Sequence, residues 1–203
     1  MFNLTFLEEH IKKLEERNRK IKAELEKMGH NIPDAQVLKP NTLRFTTEAK
    51  SLKELKVACV MDRFTYYSFR DECNLYELSL ENWKDEIDEF KPDMLFIESA
   101  WEGKNKEWYR KIANGSKEFF EMASYCQNKN IPVVFWCKED PGHTDVFMPV
   151  ARMADFVFTT DIDCIKRYKI EVEHDNVFHL HFAAQPSIHN PIEKYNRKDK
   201  FCF

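Results

Sequence analysis

Between residues 55 and 180 short apolar runs alternate with segments whose apolar positions recur every three or four residues. An uninterrupted apolar run of four to seven residues fits a strand buried on both faces, and the longer period fits an amphipathic helix. The pattern predicts strands over 55–61, 75–80, 94–97, 131–136, 156–159 and 177–180. It predicts helices over 82–90, from Ser116 to about residue 127, over 147–153 and over 162–168. Ser116 stands where a hydroxyl caps a first helical turn. Strand and helix in alternation imply an α/β fold, a Rossmann-like parallel sheet with helices on both faces. Ligands of such sheets bind beyond the carboxyl ends of the strands, so the residues after each strand are the candidates for chemistry.

Ahead of this region the apolar spacing changes. Leu4, Ile11, Asn18 and Leu25 fall at position a of a heptad, and Leu7, Leu14, Ile21 and Met28 at position d. Such a seam predicts a coiled-coil helix over 1–29, ended by Gly29, Asn31 and Pro33. Asn18 is the residue type that fixes register in parallel two-stranded coils, which points to a homodimer through residues 4–28. Arg17 at g facing Lys22 at e would repel in that register, and packing of the same apolar stripe in cis is the other use of it. Residues 30–53, polar and carrying Pro33 and Pro40, read as a linker, which leaves 54–203 for the Rossmann-like domain.

Composition narrows the function classes. Lys and Arg total 31 against 35 Asp and Glu, a net charge of -4, so no basic field gathers nucleic acid. The longest apolar runs are strand-sized, which predicts no membrane span, and no cleavable signal opens the chain, so a cytoplasmic protein is expected. The six cysteines lie outside any CxxC or Cys/His spacing, which predicts reduced thiols and no metal centre. With four glycines in all, neither a GxGxxG fingerprint nor a P-loop can be written, and no cofactor is expected.

The strand ends carry the remaining candidates. Asp62, Thr65 and Tyr66 follow the first strand, and Ser99, Trp101 and Glu102 follow the third. Lys138, Glu139, Asp140 and His143 follow the fourth, Asp161 the fifth, and Gln185, His189 and Asn190 the sixth. An imidazole with two carboxylates close in sequence has the make-up of a general base and its orienting partner, which makes His143 and Asp140 the catalytic candidates. Helix capping is the competing use of Asp140 and Asp161. Trp101 suits either stacking on a sugar ring or filling core. Asp62 also stands where a flavodoxin-like phosphotransfer domain places an acidic acceptor, but no accompanying acidic pair can be assigned.

Several consecutive blocks, MDRFTYYSFRDECNL (61–75), LFIESAWEG (95–103), NIPVVFWCKEDPGH (130–143), FVFTTDIDCIKRY (156–168) and FAAQPSIHNPI (182–192), together resemble the N-terminal part of bacterial glycosyltransferases of the CgeB-like, spore-maturation-protein type. The resemblance covers about residues 54–203. It implies a GT-B arrangement of two Rossmann-like domains, with the nucleotide-sugar donor held mainly by the C-terminal one. This chain would then shape the side of the glycan, polymer or protein acceptor, with His143 aimed at the transferred sugar. In the family the block ending at Ile192 leads into the first strand of the second domain, and here the sequence stops at Lys200–Phe203. The resemblance thus implies that the donor domain is absent and that the chain is inactive alone. A non-catalytic, coiled-coil-tethered binding or scaffolding module is the alternative expectation.

Overall fold

The computed structural model describes Glu16, Arg19 and residues 47–189. By internal contacts the chain divides into two compact units, Met1–Leu43 and Arg44–Phe203. Glu16 and Arg19 are helical and exposed. The heptad seam, its homodimer and Asn190 lie outside the described residues. Part of the expected linker belongs to the second unit. Thr47 Oγ1 donates to Asp93 at 2.8 Å, and Leu52–Glu54 form one 3-10 turn.

Six parallel strands make one sheet: β1 (Lys56–Val60), β2 (Asn74–Glu77), β3 (Met94–Glu98), β4 (Val133–Cys137), β5 (Phe156–Thr159) and β6 (Val177–His179), in the order β2-β1-β3-β4-β5-β6. Five helices connect them: α1 (Arg63–Phe69), α2 (Trp83–Phe90), α3 (Lys117–Asn128), α4 (Thr144–Ala151) and α5 (Ile165–Val172). The α/β class expected from the pattern is therefore the observed one. The chain steps one way from β1 to β2 and the other way in every later crossover. Right-handed connections then put α1 on one face and α2 to α5 on the other.

Alternate residues of each strand sort into two cores accordingly. Ala58, Val60, Leu95, Ile97, Phe135 and Val157 pack with Ile87 of α2, Phe119 and Met122 of α3, Phe147 of α4 and Tyr168 of α5. Val57, Cys59, Met61, Phe96 and Trp136 face the other way and meet Tyr66 and Phe69 of α1. With one seven-residue helix on that side, a hollow of about 490 Å³ lies over Val57, Phe96, Val134 and Phe158. Both faces carry helices, but unequally.

Local chemistry sets most boundaries. Ser116 Oγ accepts from Phe119 N at 3.2 Å and caps α3 as expected. Lys91, in the left-handed region at φ 50°, ends α2 just before Pro92, and the chain enters β3. The sequence pattern did not predict α1. Its sequence, RFTYYSF, is poor in strong helix formers. Packing of Phe69 against Phe96 and Trp136, with ring centroids 5.5 and 6.1 Å away, supplies what propensity lacks. α4 begins at Thr144, three residues before the expected start, with His143 at its N-cap position making no side-chain cap bond. The segment expected as a helix over 162–168 begins as a 3-10 turn, Ile162–Cys164, and becomes α5.

Candidate functional site

The topology reverses between β1 and β3, the neighbours from which the chain departs in opposite directions. In open parallel sheets the crevice forms at the carboxyl end of that pair. Asp62, one residue beyond Met61, stands there. Its side chain makes no cap bond to α1. Instead Oδ2 accepts from Trp101 N at 2.9 Å, and Oδ1 accepts from Glu102 N at 2.9 Å and Gly103 N at 2.7 Å. The loop can present three successive N–H groups because Gly103 sits at φ +66°, and a Cβ there would lie 2.8 Å from Trp108 Cβ.

Behind this loop lies a buried ion pair. Glu98, the last residue of β3, is fully buried, and its Oε1 lies 2.8 Å from Lys138 Nζ. Lys138 also donates to Thr65 Oγ1 at 2.8 Å, and its backbone N–H donates to Ser99 Oγ at 2.9 Å. Asp62 N donates to Glu98 Oε1 at 3.2 Å. Glu98 Oε2 is buried with no hydrogen-bond partner, and burial raises the Glu98 pKa. The Lys138 charge and hydrogen bond, the Thr65 side chain and the Asp62 N–H oppose that rise. Thr65 and Ser99 are both buried, so Asp62, Thr65, Ser99 and Lys138 form one connected group spanning β1, α1, β3 and β4. Glu98 is the member that sequence reasoning missed. Its signal was an acid ending an otherwise apolar run.

A second group is open to solvent. His143 Nδ1 lies 3.4 Å from Glu139 Oε2, with the imidazole side chain 52% exposed. The Trp101 ring meets His143 edge to face at 5.5 Å and Phe147 at 5.3 Å. Trp101 is half-buried, with its backbone tied to Asp62 and its ring shared between core and crevice. Glu139, His143 and Trp101 thus converge from the β3 and β4 loops.

Asp140 has other partners. Its Oδ1 accepts from Thr144 Oγ1 at 2.7 Å and Tyr168 OH at 3.0 Å, and its Oδ2 accepts from Thr159 Oγ1 at 2.6 Å. Three hydroxyls from α4, α5 and β5 hold this carboxylate, which joins those elements and does not orient His143. Burial, with Asp140 adding its charge, pushes the neighbouring Cys137 thiol up to about 12. Asp161 Oδ1 accepts from Asp163 N at 2.9 Å, the capping use.

The other candidates scatter. Glu102 pairs with Lys106 at 3.0 Å on the surface. Tyr66 lies on α1 with its pKa raised, by burial first. Gln185 is buried, with Nε2 donating to Ser68 O and Glu72 Oε1, both at 2.9 Å, and its backbone N–H donates to His189 Nδ1 at 2.8 Å. Both belong to the segment after β6, which closes a cavity beside α1. Among the described residues no group of three His, Cys, Asp or Glu side chains could hold a metal ion. No helix among them is long and apolar enough to cross a membrane.

Set beside known proteins, the chain matches no family model, no curated protein and no solved structure.

Proposed function

We propose that the domain is the acceptor-side half of a glycosyltransferase, working with a donor-holding domain outside these residues. The observation that carries this reading is the Glu139–His143–Trp101 group at the carboxyl ends of β3 and β4. An exposed imidazole beside a carboxylate can take a proton from a hydroxyl, and an indole edge beside it offers an apolar wall to a sugar ring. Asp140, held by three hydroxyls, acts as a positioning residue for the loop that carries both. The Asp62 clamp and the Glu98–Lys138 pair keep the two loops in register from behind.

Nuclear magnetic resonance titration with a panel of methyl glycosides tests the binding half of this reading. Shifts are expected at the Trp101 indole and His143 ring, and are lost in Trp101→Ala. In a transferase that includes the donor domain, His143→Ala should lower turnover about 100- to 10,000-fold with the melting temperature unchanged. Normal turnover in that variant removes His143 from the chemistry. If no glycoside binds and no sugar is transferred, the scaffolding module remains.

A further inference from the structure

The cavity beside α1 lies apart from the Glu139–His143–Trp101 group and shares only Thr65 with the group around the Glu98–Lys138 pair. It measures about 410 Å³, within the range of small-molecule sites. Phe64, Phe69, Trp136 and Phe182 supply its aromatic wall. Phe182 sits 5.5 Å from Trp136 and 6.4 Å from Phe64, and the Trp136 indole is fixed by donation to Leu180 O at 3.1 Å. Rings held in this way form a preformed box that the segment after β6 closes.

Its polar lining is selective in sign. Glu72 is its one carboxylate, His181 is its one imidazole, and no Lys or Arg lines it. Gln185 Nε2 donates to Glu72 Oε1 at 2.9 Å, and among the described residues no hydrogen bond or ion pair reaches Oε2. Gln185 itself has both amide atoms engaged, since Ser187 N donates to its Oε1 at 3.2 Å, so it holds Glu72 without competing for a ligand. Lys138, which reaches the lining through Thr65 and lies 5.8 Å from the Phe64 ring centroid, is paired with Glu98, and Lys53, beside Leu52 of the lining, donates to Asp71 O.

We propose that this cavity binds a small arylalkyl amine, with the ring among Phe64, Trp136 and Phe182 and the ammonium at Glu72. Aromatic faces and a carboxylate both favour a cation over a neutral or anionic head, and the apolar wall favours a ring over a bare ammonium. This site is independent of the transferase reading and stands or falls without it.

Calorimetric titration of the chain with 2-phenylethylamine, 2-phenylethanol and 3-phenylpropionate tests it. The amine should bind about 5- to 30-fold more tightly than the alcohol, and the carboxylate should not bind. Glu72→Gln keeps the acceptor for Gln185 and should reduce the amine to the affinity of the alcohol. Phe182→Ala removes an exposed ring, so the fold is kept, and it should weaken amine and alcohol alike. Melting curves of both variants verify that they are folded. Equal affinity of amine and alcohol, tighter binding of the carboxylate, no binding of any of the three, or indifference to either substitution overturns the proposal.

Discussion

Replacing Lys138 by Met isolates the buried pair at the crevice. The ammonium lies 2.8 Å from a Glu98 carboxylate that is wholly buried, and the lysine side chain itself is 11% exposed. Removing one partner of a buried pair leaves an uncompensated charge and costs about 3–5 kcal/mol. For a domain of this size that corresponds to a fall in melting temperature of about 6–20 °C, taking about 2–4 °C per kcal/mol. The double variant Glu98→Gln, Lys138→Met has no buried charge to strand and should regain most of the loss. The pH dependence has a definite sign. Burial already raises the Glu98 pKa in the folded state, and Lys138 is the largest influence opposing the rise. In Lys138→Met the folded pKa climbs further. The protonated folded form is then favoured, so the stability of the single variant relative to the double is highest below the ordinary value of 4.5 and falls as pH rises toward the folded pKa. Thermal melts of wild type, single and double variants between pH 4 and pH 8 measure this. A single variant that melts within 2 °C of wild type at neutral pH, or a gap between single and double that widens toward acid, would refute the reasoning.

Three further outcomes follow from the same geometry. Asp62→Ala removes the acceptor of three backbone N–H groups and should cost about 2–4 kcal/mol, with faster amide exchange at residues 101–103 as the local readout. Gly103→Ala forces a Cβ against Trp108 at positive φ and should cost about 2–3 kcal/mol, whereas Gly142→Ala meets nothing closer than 3.7 Å and should be nearly neutral by the same melt. Cys126 and Cys137, both pushed up to about 12 by burial, should resist alkylation at pH 8 in the folded chain, while half-buried Cys73 reacts first among the described cysteines, as mass spectrometry of digests would record.

The central strands were legible because each is an apolar run of the length that a doubly covered sheet requires, and the expected 156–159 strand coincides with Phe156–Thr159, whereas edge strand β2, Asn74–Glu77, is half polar and ends short of the expected 75–80. Placement of Asp62, Ser99, Asp140 and Asp161 at one edge followed from parallel direction alone. The pairings at that edge did not. Asp140 sits three residues from His143 in sequence, yet its oxygens turn to Thr144, Thr159 and Tyr168, partners that only the folding of α4 and α5 against β5 brings near. Glu98 was overlooked because its partner lies 40 residues away on a neighbouring strand. Helix α1 was invisible to propensity, since its reason to form is the pair of aromatic rings beneath it.

The clamp on the β3 loop has one more consequence. Three consecutive amides at a sheet switch point are the geometry with which many α/β proteins grip a phosphate. Here that seat is already taken by the chain's own anion, covalently tethered at Asp62 and so present at an effective concentration that a free ligand seldom matches. The domain has, in this sense, internalised its counter-ion. A nucleotide phosphate gains nothing from these amides unless the carboxylate leaves, and whatever the crevice accepts must approach along the imidazole and indole side, where the surface is still unoccupied by the protein itself.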